Sequence, residues 1–268
     1  MPYAKTLVAD SVAARLIEAQ GIYQYCNRSL DGLVRQGTSS VDVPNLPGLN
    51  VVTSGATDTD GSVRKRTKSD TAMINIPLST AAVPIADEIL GQFESNGMLM
   101  KEFTISAAMT FQEHFDKTVI TQALTTTNTI TDFATLGWAQ ITGINKALDV
   151  LKVPKRGRII AISANLADSF YAIDVVKNAL AYNIAKFESG EFISVMGMKF
   201  FISANVPLST TKNQIVGFYG PAMAVVLSKY MELKTRYNEA VFMDIHDLIS
   251  HFGIKLLSAS YAVKGKES

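Results

Sequence analysis

The sequence predicts an α+β fold, and three features carry that prediction. Residues 97–124 hold a single long helical stripe. Strand-like stretches lie before and after it, with a compact α/β unit among the later ones. A long polar hairpin, "SGATDTDGSVRKRTKSD" (54–70), separates two strand-like runs. The elements are justified in chain order below.

In "ADSVAARLIEAQGIYQYCNRSL", Asp10 or Ser11 can cap a helix. Val12, Leu16 and Ile17 then form a thin apolar stripe at helical spacing. The stripe is too narrow and short to stand alone, so it reads as an arm lying on the body of this chain or on a neighbour.

Residues 40–86 read as an extended two-stranded arm. In "SVDVP", Val41 and Val43 alternate with polar neighbours, and Met73, Ile74, Ile76 and Leu78 alternate in part. Pro44, Pro47 and Pro77 suit edge or two-stranded structure, because proline cannot donate to a central ladder. The tip has almost nothing to bury: one Val, one Ala and two Gly among Ser, Thr, Asp, Lys and Arg. Loops of this length without structure of their own are uncommon in compact domains.

In "GMLMKEFTISAAMTFQEHFDKTVITQAL" (97–124), Met100, Phe103, Ala107, Phe111, Phe115 and Val119 fall on one face. Such a helix runs roughly 40 Å at its regular rise per residue. A second amphipathic helix presents Trp138, Ile141, Ile144, Leu148 and Leu151. "PKRGRIIAIS" reads as a turn, a basic lead-in and a buried strand, and "ANLADSFY" as a short helix. Residues 174–186 read as a loop with a helical turn. "GEFISVMGMKFFISANVP" (190–207) reads as two short strands meeting at Gly197. "QIVGFYGPAMAVVLS" reads as a strand and then a helix with Pro221 in its first turn. "MELKTRYNE" alternates through Met231, Leu233, Thr235 and Tyr237. The last stretch reads as one long strand broken near Gly253.

Composition excludes several function classes. The chain has 268 residues, enough for a sizeable core. A net charge of +1 gives no global field of the kind that marks nucleic-acid or membrane binders. The single Cys26 cannot form an internal disulfide. No apolar run approaches a membrane span of about 20 residues, and the N-terminus is too polar for a signal-peptide core. A protein made and kept in a cytoplasm is expected.

No catalytic constellation emerges. His114 lies beside the long helix's apolar stripe. His246 and His251 are five apart in a strand and so point to opposite faces. No pair has zinc-ligand spacing. "DTDG" (58–61) fails the calcium-loop pattern, since Gly61 falls fourth and Ser69 twelfth. No phosphate loop or G-x-S-x-G occurs, and Ser163 has no base in sequence. No cofactor or metal is expected. The run Arg64, Lys65, Arg66, Lys68 could hold phosphate, sit as a solvated tip, or dock on an acidic patch of another subunit. Asp58, Asp60 and Asp70 largely offset its charge, which weakens the nucleic-acid reading.

The ordered set of elements resembles the major capsid proteins of tailed bacteriophages, with the HK97-like fold, over nearly the whole chain. "NRSLDGLVRQGTSSVDVP" resembles the family's lead-in to its extended loop, and the polar hairpin resembles that loop, the E-loop. The 97–124 helix resembles the spine helix of the peripheral (P) domain. "WAQITGINKALDVLKVPKRGRIIAIS" resembles the opening of the axial (A) domain, "GEFISVMGMKFFISANVP" resembles a stretch common in these proteins, and "MELKTRY" with the closing strand resembles P-domain strands. The resemblance implies an N-terminal arm (1–39), E-loop (40–86), P domain with spine helix (87–131), A domain (132–228) and returning P-domain strands (229–268). It implies a non-enzymatic subunit that self-assembles as pentamers and hexamers into an icosahedral shell. The shell would enclose DNA without sequence-specific binding, in the virion, with separate scaffold and portal proteins as partners and no membrane. Arg64, Lys65, Arg66 and Lys68 would make inter-subunit contacts.

The arm starts almost at Met1, so no fused scaffolding segment is expected, and no accessory domain interrupts the A-domain region. Some members cross-link a loop Lys to an Asn with a helper Glu. Lys65 and Lys68, with Asn238 and Glu239, align only loosely with that pattern, and a non-covalent shell is expected. Two other functions fit less well: an encapsulin-type nanocompartment shell, whose N-terminal region is typically shorter and built around a cargo-binding helix, and a small soluble α/β enzyme with a pocket beside "RIIAIS".

Overall fold

The computed structural model describes residues 12, 21–31, 39–44, 73–86, 97–182, 194–227, 232–239 and 243–268. In chain order the strands β1 (Ser40–Pro44), β2 (Met73–Pro77) and β3 (Ser79–Ala86) precede helices α1 (Gly97–Leu124) and α2 (Trp138–Val150). Strand β4 (Arg158–Ser163) leads into α3 (Ala167–Tyr171) and α4 (Asp174–Tyr182). The remaining strands are β5 (Ser194–Val195), β6 (Met198–Ser203), β7 (Gln214–Tyr219), β8 (Met223–Leu227), β9 (Glu232–Asn238), β10 (Met243–Leu256) and β11 (Ala262–Lys266).

The described residues form three sheets. β1 and β2 form an antiparallel ribbon with Val41 opposite Ile76. A four-stranded sheet is built on β10, with β3 along one side and β9 and β8 in succession along the other. A five-stranded sheet runs β11-β7-β4-β6-β5, and within it only the β4–β6 pair is parallel. That parallel pair requires a crossover, which α3 and α4 supply.

The predicted long helix forms over its full 28 residues. Its stripe is the reason: Ala107, Phe111, Phe115 and Val119 are all buried. Phe115 packs on Phe252 of β10 with ring centroids 5.1 Å apart. The same core includes Ile159 and Ala161 of β4, Phe201 of β6, and Val216 and Phe218 of β7. Helix α1 is therefore the shared wall of both larger sheets. The other face of the five-stranded sheet carries Ile160, Ile162, Phe200 and Ile215. It is covered by Ile141, Ile144 and Leu148 of α2, Phe170 of α3 and Val176 of α4. Gln140 steadies the start of α2, its side-chain oxygen accepting the Gly137 N–H at 3.0 Å.

The structure corrects three sequence expectations. Residues Asp174–Tyr182 are a helix, because Ile173 and Val176 are buried against the sheet and organise the turn that looked ambiguous. The stretch after Pro221 is a strand: the proline starts only a three-residue 3₁₀ turn, and buried β-branched Val225 and Val226 then pair with β10. β10 continues through Gly253, which pairs with Val226, and the interruption comes after Leu256. β8 belongs to the four-stranded sheet and β11 to the five-stranded one. The turn at Gly197 forms as expected, with Met196 and Gly197 both at positive φ (54° and 77°), the conformation a two-residue hairpin demands.

Candidate assembly surfaces

The ribbon has one seated face and one free face. Val41 and Ile76 are buried against Ala224 and Val226 of β8. Ile76, Pro77 and Leu78 crowd the backbone at Gly253, where a Cβ would stand 2.9–3.0 Å from their atoms. Lys255 Nζ donates to the Asn75 carbonyl at 2.7 Å, a second tie between ribbon and sheet. On the free face, Asn75 Nδ2 donates to Asp42 Oδ1 across the pair at 2.8 Å, and Met73 is 60% exposed. The ribbon ends at the Pro44–Met73 pair. Arg64, Lys65, Arg66 and Lys68 belong to the stretch beyond it and lie outside the described residues.

A second surface lies along the solvent side of α1, where Glu102, Met109, Glu113 and Lys117 are exposed. Here Thr110, Thr118 and Thr121 satisfy their hydroxyls on the carbonyls one turn back. A third is β9, whose Glu232, Lys234, Thr235, Arg236 and Tyr237 are all exposed. Arg236 Nε donates to Asp247 Oδ2 at 2.7 Å, and Tyr237 stands 60% in solvent. Both surfaces mix charge of either sign with single large apolar side chains.

The residues weighed for chemistry are spread apart. His246 meets Thr235 at 2.8 Å and His251 meets Thr80 at 3.1 Å, each across directly opposed strand positions. His114 is exposed and packs edge-on against Phe252. Among the described residues no three His, Cys, Asp or Glu come together as metal ligands. Ser163 Oγ has Asn213 Oδ1 at 3.4 Å, an amide that cannot act as a base. Cys26 is buried, and burial pushes its thiol pKa up, away from thiolate reactivity. Asn238 ends β9 and Glu239 is exposed beside it, whereas Lys65 and Lys68 are among the residues not described.

Sequence reasoning missed two buried charges. Arg158, read as part of a basic lead-in, is fully buried at the start of β4. Its guanidinium ties off the end of α2, donating to Asp149 Oδ1 at 2.6 Å, to the Pro154 carbonyl at 3.0 Å, and to Asn145 Oδ1 and the Val153 carbonyl. The hydrogen bond from Arg158 holds the Asp149 carboxyl below its ordinary pKa. Asp116, on the buried side of α1, accepts the Tyr23 N–H at 3.0 Å. Burial raises its pKa to about 6 against the lowering effect of that bond. The one available signal for Asp116 was its place next to Phe115 on the apolar stripe.

No protein-family model and no curated protein matches the sequence. Solved structures do match. One from Mycobacterium phage Che8 has 16% sequence identity and a TM-score of 0.66, over 92% of this chain and 91% of that one. The capsid of a native GTA particle has 11% identity and a TM-score of 0.62, over 93% and 91%. The fold is the HK97-like fold. A virus-like particle from Pyrococcus furiosus has 12% identity and a TM-score of 0.57, over 96% of both chains. At 11–16% identity these likenesses extend over more than nine-tenths of this chain.

Proposed function

We propose that this chain is the major capsid protein of a tailed-phage-like particle, a non-enzymatic subunit that assembles into an icosahedral shell around DNA. The observation that carries the reading is the full-length match to shell proteins, over more than nine-tenths of this chain and of each partner chain. In this reading residues 1–39 are the N-terminal arm and 40–86 the E-loop, rooted through β1 and β2. Helix α1 is the spine of a P domain that includes the four-stranded sheet, and the five-stranded sheet with α2–α4 is the A domain. Arg64, Lys65, Arg66 and Lys68 contact a neighbouring subunit. Pentamers and hexamers form through heterologous contacts that close only in a shell. Scaffold and portal proteins are separate chains, and the protein's place is the virion.

The likeness to the Pyrococcus furiosus particle keeps an encapsulin-type shell as a second reading, since the same fold serves both. Negative-stain microscopy of the expressed protein, alone and with its scaffold, tests the proposal. Closed shells or capsomers are expected, and a strict monomer at high concentration with scaffold present overturns it. Native particles holding DNA support the capsid; particles holding an enzyme cargo support the second reading instead.

A further inference from the structure

Residues 21–31 cross the molecule as a strap that touches both larger sheets. Ile22 and Tyr23 are buried, and Tyr23 packs edge-on against Phe115 of α1. Asn27 is bridged to Ala224 of β8, exchanging backbone bonds of 2.9 Å with Met223 and Val225. Asp31 Oδ1 accepts the Leu227 N–H at 2.9 Å. On the five-stranded sheet, Lys199 Nζ of β6 sits 3.6 Å from the centre of the Tyr25 ring. At the buried end of this strap stands Asp116, which accepts the N–H of Tyr23 and that of Ile22.

We propose that Asp116 is a proton-operated latch for this strap, closing it more tightly in acid and loosening it at neutral pH. The carboxyl is buried, and among the described residues its donors are neutral: the two strap amides and Gln112 of its own helix. The ionisable groups near it on the strap are the Tyr23 phenol and the Cys26 thiol, both held neutral by burial. Among the described residues, the cations of the surrounding elements are committed elsewhere: Arg28 to Asp31, Lys199 to the Tyr25 ring, and Lys264 of β11 to the Leu124 carbonyl. On β10, His246 and His251 bond to Thr235 and Thr80, and Lys255 to Asn75. β7 contributes only Tyr219, and α1 itself carries the exposed Glu113, His114 and Lys117.

Burial of an ionised carboxylate is costly, so the latched state holds its proton more tightly than the open one. With a latched pKa of about 6 and an ordinary carboxyl when open, linkage predicts about tenfold tighter latching at pH 5 than at pH 7.5. The strap precedes the ribbon in the chain, so the latch sets how firmly that lead-in is held.

The test is amide hydrogen exchange of the full-length, unassembled chain, followed by mass spectrometry of peptides within 21–31 and corrected for intrinsic exchange. Wild type is expected to show about tenfold greater strap protection at pH 5 than at pH 7.5, and Asp116→Asn, which keeps an acceptor oxygen, is expected to show none of that difference. Peptides from β7 serve as the folding control for both proteins. Equal strap protection at the two pH values in wild type, or the same pH dependence in Asp116→Asn, overturns the proposal. If the Asp116→Asn control peptides lose protection, the pH dependence of wild type alone decides it.

Discussion

Ile76 of the ribbon lies directly over Gly253, three residues before the end of β10, so close that a Cβ on the glycine would stand 3.0 Å from its Cγ2. The glycine does not end the strand. It clears the space in which the ribbon is seated. Gly253→Val is expected to lift the ribbon and cost about 1–3 kcal/mol, the usual range for overpacking. Urea unfolding of the unassembled chain measures it. An unchanged midpoint would mean that the ribbon does not rest there.

Phe111 is buried and stacks on Phe115 with centroids 6.1 Å apart. Phe111→Ala is expected to cost about 3–5 kcal/mol. A thermal midpoint within a degree or two of wild type would place this face of α1 in solvent.

Arg158 binds the last turn of α2 and the segment after it from a fully buried position. Arg158→Met removes donors to several carbonyl and amide oxygens at once, and a loss of about 3–5 kcal/mol is expected. Asp149 is exposed and can rehydrate, so Asp149→Asn is expected to do much less harm. Comparing the two variants by chemical denaturation separates the buried bonds from the ion pair.

Asp116 has a folded pKa of about 6, above its ordinary value of 3.8. The folded chain therefore binds more protons than the unfolded chain between those values, and this group's contribution to stability grows as pH falls from 6 towards 4. Above pH 6 its ionised form is a net cost, so Asp116→Asn is expected to raise stability at pH 7.5 by about 1–3 kcal/mol. At pH 4 the difference is expected to vanish. Paired unfolding curves at the two pH values check both parts, and a variant less stable at pH 7.5 would show the carboxylate to be favourable there.

The run Arg64, Lys65, Arg66 and Lys68 has little to bury, and exposed charges contribute under about 1 kcal/mol each to folding. Reversing Arg64 and Arg66 to Glu is expected to leave the melting of unassembled protein nearly unchanged but to block or misdirect assembly. Raised salt is expected to weaken wild-type assembly through screening. Light scattering during assembly reads both effects. Normal shells from the double variant would reduce the run to a solvated tip.

Much of this protein was legible one element at a time. The α1 stripe, the β1–β2 ribbon, the buried β4 and the turn at Gly197 each follow from local periodicity and turn chemistry, because the residues that decide them are neighbours in sequence. Long-range packing decided the rest. Gly253 reads as a strand breaker until Ile76, 177 positions away, is found above it. Arg158 reads as part of a basic lead-in until the carbonyls at the end of α2 close around it. Strands β8 and β11 read with their chain neighbours until hydrogen bonding assigns them to opposite sheets. Asp116 reads as one more polar residue on a helix until the strap amides converge on its carboxylate. A residue's type sets what it can bond, but its burial and its partners arise from segments far apart in the chain, and those exist only once the sheets have assembled around α1.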